Sequence, residues 1–185
     1  MRRPLLKITA ITLAVSLGLA AGAEAQRPIE LGVDGTIARV TSDGGDFTTI
    51  AVPLGRVRAG FYLSDLVSLE PSLGFNWVDT DVGSATSLTL GAGLLYHFKA
   101  DPAVVRPFIE GNVQMAYQKV SFDADPDLDA SDTQFAVGGG VGVKVPMVSR
   151  MDLRLEAFVQ HAFESDAALS STTFGALFGF SFYTR

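Results

Sequence analysis

Apolar and polar side chains alternate along most of this 185-residue chain. The clearest case is the C-terminal segment, residues 172–185, where Phe180 and Phe182 alternate with Gly179 and Ser181. Successive side chains of a β-strand point to opposite faces, so this pattern predicts a strand with one strongly apolar face. A row of phenylalanines on one face is typical of a strand whose outer side contacts lipid.

The same alternation recurs in eight segments, separated by residues that favour turns. The 19 glycines and the absence of a later apolar run long enough for a spanning helix favour many short strands. An even number of strands brings both termini to the same side, as in bacterial single-chain barrels. We therefore predict an all-β fold, an eight-stranded antiparallel up-and-down transmembrane β-barrel. The predicted strands are 29–40, 47–63, 66–78, 87–98, 106–122, 133–145, 151–163 and 172–185.

The connections are expected to alternate between compact periplasmic turns and longer, polar outer loops. Two prolines interrupt the pattern, and Pro53 and Pro71 are each expected to cause a bulge or a local widening, because proline donates no ladder hydrogen bond. The predicted turns are 64–65, 99–105 and 146–150, and the predicted outer loops are 41–46, 79–86, 123–132 and 164–171.

The N-terminus has the layout of a secretory signal peptide. A basic start at residues 2–7 precedes an apolar run over 8–21, and Ala23-Glu24-Ala25 supplies a small-x-small cleavage pattern. We predict a cleaved signal peptide at 1–25 and one outer-membrane barrel domain at 26–185.

The polar faces of the predicted strands carry most of the charge. An eight-stranded barrel has an interior only wide enough for side chains to fill, so these groups are expected to pair. The structural interpretation is a salt-bridged plug that closes the lumen, and the functional alternative is a gated conductance path through rearranged pairs. The predicted lumen network is Glu30, Asp34, Arg56, Arg58, Glu70, Glu110, Lys144, Asp152, Arg154 and Glu156, six acids against four bases.

The composition argues against several kinds of partner and reactive site. The net charge is −6, and no basic run is present, so nucleic acid is an unfavourable partner. There is no cysteine, which excludes disulfides, thiolate metal sites and a thiol nucleophile. We expect no cofactor. Gly138-Gly139-Gly140 lies within a strand, where small residues leave space in the lumen, and is not a phosphate loop.

The third outer loop concentrates carboxylates at alternate positions, and oxygen ligands of this kind suit calcium. It begins like an EF-hand loop, but Leu128 stands where glycine is needed and Gln134 where glutamate is needed. The alternative is a solvated acidic loop that shares divalent cations with lipopolysaccharide phosphates. The aspartates of this loop are Asp123, Asp125, Asp127 and Asp129, with Asp132 close by.

A catalytic alternative rests on His161, Glu164 and Ser165 at the outer end of the seventh strand. A serine nucleophile needs a base within hydrogen-bond reach, and some barrel enzymes deacylate lipid A with such a set. Alternation places His161 on the lipid side, which favours a rim histidine, so we expect no enzyme. His97 is expected to face the lumen as a hydrogen-bonded residue.

The chain resembles the eight-stranded outer-membrane β-barrel family typified by the OmpA transmembrane domain and OmpX. The resemblance rests on the signal peptide, on Gly60-Phe-Tyr-Leu-Ser-Asp65 and on Arg106-Pro-Phe-Ile-Glu110. The terminal residues also resemble the strand signal read by the barrel-assembly machinery, although Thr184-Arg185 follow the last aromatic. The residues of this assembly signal are Gly179, Phe180, Phe182 and Tyr183.

These features lead to four functional hypotheses. The first is a structural or surface-interaction barrel in the bacterial outer membrane, monomeric, contacting membrane lipids, lipopolysaccharide and an unknown extracellular partner. The second is a narrow ion or small-solute channel, and the third is a lipid A-modifying enzyme. The fourth, a soluble lipocalin-like carrier, predicts an apolar interior.

Overall fold

A computed structural model describes residues 28–42, 45–80, 83–99, 104–122, 130–165 and 168–184. Every regular element in these ranges is a β-strand, and the described residues include no helix long and apolar enough to cross a membrane. The strands are β1 Ile29–Ser42, β2 Gly45–Tyr62, β3 Val67–Thr80, β4 Gly83–His97, β5 Arg106–Phe122, β6 Ala130–Val148, β7 Met151–Ala162 and β8 Ser171–Tyr183.

The eight strands pair in chain order and close into a barrel. Each strand is antiparallel to its neighbours, and β1 pairs with β8 from Glu30 opposite Tyr183 to Ser42 opposite Ser171. Each strand therefore has a partner on both sides, as hydrocarbon requires of a spanning sheet, and the β2–β3 ladder runs only from Arg56 opposite Gly74 to Tyr62 opposite Ser68. We call the end that carries Ile29 and Tyr183 the terminal end, and the opposite end the loop end. The predicted fold class is confirmed.

The connections differ from the expected alternation of short turns and long loops. β1 and β2 are separated by 43–44 alone, and β3 and β4 by 81–82 alone, so the prediction of longer loops at 41–46 and 79–86 is wrong. The strands continue through these polar residues instead. The expectation of a longer connection holds at 123–129 and 163–170, while β6 runs to Val148 and shortens the predicted 146–150 turn to two residues.

Both prolines disturb the ladder as expected. On β1, pairing moves from Asp34 opposite Arg56 to Thr36 opposite Ala51, so β2 accommodates extra residues around Pro53. The pairing of β2 with β3 stops after Arg58 opposite Ser72 and resumes in the same register at Phe61 opposite Leu69, which interrupts it beside Pro71. A missing N–H donor explains both positions.

Burial is inverted relative to a soluble protein. Of the described residues, the buried apolar side chains are few: Ala38, Leu95, Phe108 and Leu177. The buried polar and charged side chains are more numerous: Glu30, Asp34, Arg58, Ser68, Glu70, His97, Glu110, Lys144, Asp152, Arg154, Glu156 and Ser181. This interior contradicts the lipocalin-like hypothesis, which requires an apolar lumen.

The outward-facing side chains of the strands are largely apolar. Trp77, Phe135 and Phe174 on the loop-end half, and Tyr96 and Phe182 near the terminal end, are each at least two-fifths exposed. A continuous apolar surface of this extent is unfavourable in water and favourable in a bilayer. Arg39 and Lys119, two cations on the loop-end half of the wall, are both exposed.

Candidate functional site

The ten predicted lumen residues and Arg106 all face inward; ion pairs join nine of them in one network, and Asp152 pairs separately with Arg106 near the terminal end. We call these eleven residues the charge layer. Arg154 Nη1 on β7 lies 2.5 Å from Glu70 Oε2 on β3. These two strands are four positions apart in a closed ring of eight, so they lie on opposite sides of the barrel. This ion pair therefore spans the lumen across its diameter.

Other links cross the lumen at the same level. Lys144 Nζ on β6 contacts Glu30 Oε2 at 2.7 Å and Glu70 Oε1 at 3.1 Å, and Lys144 is fully buried. Arg58 donates to Glu30 Oε1 at 2.5 Å, to Asp34 and to Ser181 Oγ at 2.7 Å. Buried ions are tolerated only when paired and hydrogen-bonded, and these groups satisfy that condition on several sides.

Arg154 is shared among three carboxylates. Its Nη1 donates to Glu70, while its Nη2 lies 2.6 Å from Glu110 Oε2 and 2.6 Å from Glu156 Oε2. The Arg154 guanidinium also packs over the Phe108 ring, 4.6 Å from its centroid. One cation thus serves three carboxylates and an aromatic face.

Glycines on the inward face make room for this layer. A Cβ at Gly32 would overlap the Arg58 guanidinium, and a Cβ at Gly179 would overlap the carbonyl of Val33 and the Asp34 carboxylate. These two glycines are required by close approach, not by backbone conformation.

A smaller cluster closes the terminal end. Arg106 Nη2 contacts Asp152 Oδ2 at 2.5 Å, and the Tyr183 hydroxyl donates to the same oxygen at 2.7 Å. The sequence reading missed Arg106, because it stands at the first position of its strand. Arg106 is an even number of residues from Glu110 on the same strand, so side-chain alternation predicts that it also faces the lumen.

An aromatic group lies beside this cluster. The Tyr62 hydroxyl donates to Glu30 Oε2 at 3.1 Å, and the Tyr62 ring stacks on His97 with centroids 5.4 Å apart. His97 Nε2 is 3.0 Å from Ser68 Oγ, and both side chains are buried among Phe108 and Leu95. His97 faces inward as expected. The roles of Tyr62, Ser68 and Phe108 were missed, because a tyrosine, a serine or a phenylalanine carries no pattern that distinguishes lumen packing.

The catalytic alternative finds little support in the contacts of its residues. Ser165 Oγ hydrogen-bonds to Asp132 Oδ2, whereas His161 Nδ1 lies 3.1 Å from Thr172 Oγ1 and is exposed. The serine and the histidine are therefore engaged with different partners. Glu164 is exposed.

The candidate cation ligands of the third loop, Asp123, Asp125, Asp127 and Asp129, lie outside the described residues. Asp132 is described and holds Ser165, which ties the β7–β8 connection to β6. Within the described ranges, no group of three or more histidine, cysteine, aspartate or glutamate side chains is arranged to hold a metal ion.

The assembly-signal residues lie on both faces of β8. Phe180 and Phe182 face outward and are exposed, whereas Gly179 is buried against Asp34 and Tyr183 reaches inward to Asp152. The terminal strand thus contributes to the lipid face and to the charge layer at once.

Comparison with known proteins identifies the family. The model of the outer membrane protein beta-barrel domain matches residues 10–182. The chain belongs to this family. Family membership agrees with the inverted burial and indicates the bacterial outer membrane. A search of curated proteins found no match.

Solved structures of other outer-membrane barrels share the fold. Neisserial surface protein A is 15% identical with a TM-score of 0.67, covering 83% of this chain and 96% of that one. The barrel domain of Pseudomonas aeruginosa OprF is 20% identical, with a TM-score of 0.50 and coverage of 85% and 98%. Ail, the attachment invasion locus protein of Yersinia pestis, is 11% identical, with a TM-score of 0.51 and coverage of 85% and 100%.

Proposed function

We propose that this outer-membrane barrel is a closed structural and surface-interaction protein, without transport or enzymatic activity. The observation that carries the proposal is the ion pair of Arg154 with Glu70, which crosses the full width of the lumen with both groups buried. A solute could pass only if several buried pairs separated together, and breaking a buried pair is strongly unfavourable.

The surface role falls to the loop end. Asp132 and Glu164 are acidic residues in the described part of the loop end, and the acidic third loop is expected at the same end. We propose that this end contacts lipopolysaccharide and its bridging cations, or an extracellular partner, while the apolar wall contacts lipid. Two structures of this fold bear names that denote a surface protein and an attachment and invasion protein, which agrees with such a role. Export by the signal peptide at 1–25, assembly by the barrel-assembly machinery and a monomeric state complete the proposal.

Overproduction in a Gram-negative host tests this proposal against both alternatives. We expect the rate of small-solute uptake across the outer membrane, and the mass spectrum of lipid A, to match those of a strain with an empty vector. Faster uptake would support the channel instead. Loss of lipid A acyl chains that His161→Ala abolishes would support the enzyme.

A further inference from the structure

The charge layer is not neutral. Its carboxylates are Glu30, Asp34, Glu70, Glu110, Asp152 and Glu156, and its bases are Arg56, Arg58, Arg106, Lys144 and Arg154. Six acids against five bases leave one negative charge in excess. A buried charge without a counter-charge is costly, so the position of this excess matters.

The contacts locate the excess at Glu110 and Glu156. Asp34 receives Arg56 and Arg58, Asp152 receives Arg106, and Lys144 is held between Glu30 and Glu70. Glu110 and Glu156, by contrast, both depend on Arg154, and their Oε2 atoms approach the same Nη2 at 2.6 Å. Arg154 also serves Glu70. This corner of the layer therefore has three carboxylates on one guanidinium.

Oxygen atoms without hydrogen-bond partners occur at the same corner. Glu156 is only 4% exposed, and its Oε1 has no partner within the described structure. Asn112 Oδ1 is likewise buried and unpartnered, while the Asn112 amide donates to Glu110 Oε1 at 3.1 Å. This bond fixes the amide orientation, because the reverse orientation would place two acceptors together. A buried acceptor without a donor is costly, and the excess negative charge at this corner favours a cation as its partner.

Glycines allow these oxygens to lie close against the backbone of neighbouring strands. Gly140 lies opposite Glu110 in the β5–β6 register, and a Cβ there would overlap Glu156 Oε1. A Cβ at Gly138 would lie 3.1 Å from Asn112 Oδ1, and a Cβ at Gly93 only 2.7 Å from Glu110 Oε1. The carboxylates and the amide oxygen thus border backbone on two strands, with no side chain of β6 between them.

Access to this corner is from the loop end. On β5, the lumen-facing side chains beyond Glu110 are Asn112, Gln114, Ala116 and Gln118, which are uncharged, and Gln118 is exposed. The terminal-end side is blocked by the rest of the charge layer. On β5, an ion from outside would therefore meet neutral, polar side chains before it reaches Glu110.

We propose that Glu110, Glu156 and Asn112 form a binding site for one monovalent alkali cation, such as sodium. Carboxylate and amide oxygens are hard ligands suited to hard cations, and a single excess charge calls for a single positive charge. Gln160 Nε2, on the residue paired with Gly138, is also buried without a partner. A water molecule carried by the cation would accept its hydrogen bond.

The test uses the folded full-length barrel in detergent micelles. Thermal unfolding midpoints are compared at pH 8 in sodium chloride and in N-methyl-D-glucamine chloride of equal ionic strength. A ligand that binds only the folded state raises the midpoint, and at saturating sodium we expect a rise of roughly 5 °C. Glu156→Gln should unfold at the same midpoint in both salts. Glu164→Gln, which removes an exposed carboxylate outside the lumen, should respond to sodium like the wild type.

A second variant keeps the test decisive if Glu156→Gln fails to fold. Asn112→Ala keeps both carboxylates, and we expect it to need at least tenfold more sodium for the same midpoint, with a matching loss of excess sodium-23 relaxation in NMR. Equal wild-type midpoints in the two salts would overturn the proposal, as would an unchanged sodium response in Asn112→Ala. If lowering the pH raises the midpoint equally in both salts, the excess charge is held by a proton and the cation site is refuted.

Discussion

At the scale of single residues, the barrel depends on inward-facing side chains and glycines that are in close contact with their neighbours. Arg154 contacts three carboxylates, and Asp34 occupies the space that a side chain at Gly179 would need. The sequence indicated which charges face inward, because side-chain parity is a local property of a strand. It could not indicate that Arg154 meets Glu70, because alternation carries no information about contacts between strands on opposite sides of the ring.

Removing Arg154 should destabilise the barrel strongly. Arg154→Ala leaves Glu70, Glu110 and Glu156 without their shared cation, and loss of one partner of a buried pair costs about 3–5 kcal/mol. We expect the urea midpoint of the detergent-solubilised barrel to fall accordingly. Lys99→Ala, which changes an exposed cation beyond the end of β4, should leave the midpoint within error. Equal stabilities of the two variants would contradict the assigned role of Arg154.

Two glycines on opposite faces give a matched pair. Gly179→Ala places a methyl group against Val33 and Asp34, and such overpacking typically costs about 1–3 kcal/mol. Gly111→Ala faces outward with no atom within 4 Å, so its free energy of unfolding should match or slightly exceed that of the wild type. The same urea titration measures both. A larger loss for Gly111→Ala than for Gly179→Ala would show that the two faces have been assigned wrongly.

At the scale of elements, alternation predicted all eight strands, because lipid on one side and polar side chains on the other impose a period of two. It failed at 41–46 and 79–86, where the strands continue as polar residues. Outside the hydrocarbon both faces of a strand meet water, so polarity no longer distinguishes a strand from a loop. The disturbance at Pro53 was predictable from the absent donor, but the number of extra residues in β2 was not.

Strand β8 allows a separate test of the assembly signal. Phe182 and Phe174 both face outward with similar exposure, but Phe182 lies near the terminal end and Phe174 near the loop end. If the end of β8 is read by the assembly machinery, Phe182→Ala should lower the assembled fraction several-fold, whereas Phe174→Ala should have little effect. Heat-modifiable migration on unboiled gels measures that fraction in cells. Equal defects would indicate loss of lipid-facing area instead of loss of a signal.

At the scale of the whole molecule, charge inside and apolar side chains outside are two consequences of one environment. The apolar wall is stable only in a bilayer, and the narrow interior forces the inward-facing ions into contact. Fold, burial and family membership therefore agree on an outer-membrane barrel. The wall and the layer both serve the barrel itself, so we propose that any specificity for a partner belongs to the loop end.

The central claim is that the charge layer closes the lumen, and single-channel recording in planar bilayers tests it most directly. Purified, heat-modifiable wild-type protein should insert without producing discrete current steps at moderate voltage, because Arg154 and Glu70 block the diameter. A porin recorded in the same bilayers serves as the positive control. Reproducible unitary conductance from the wild-type barrel would contradict the account.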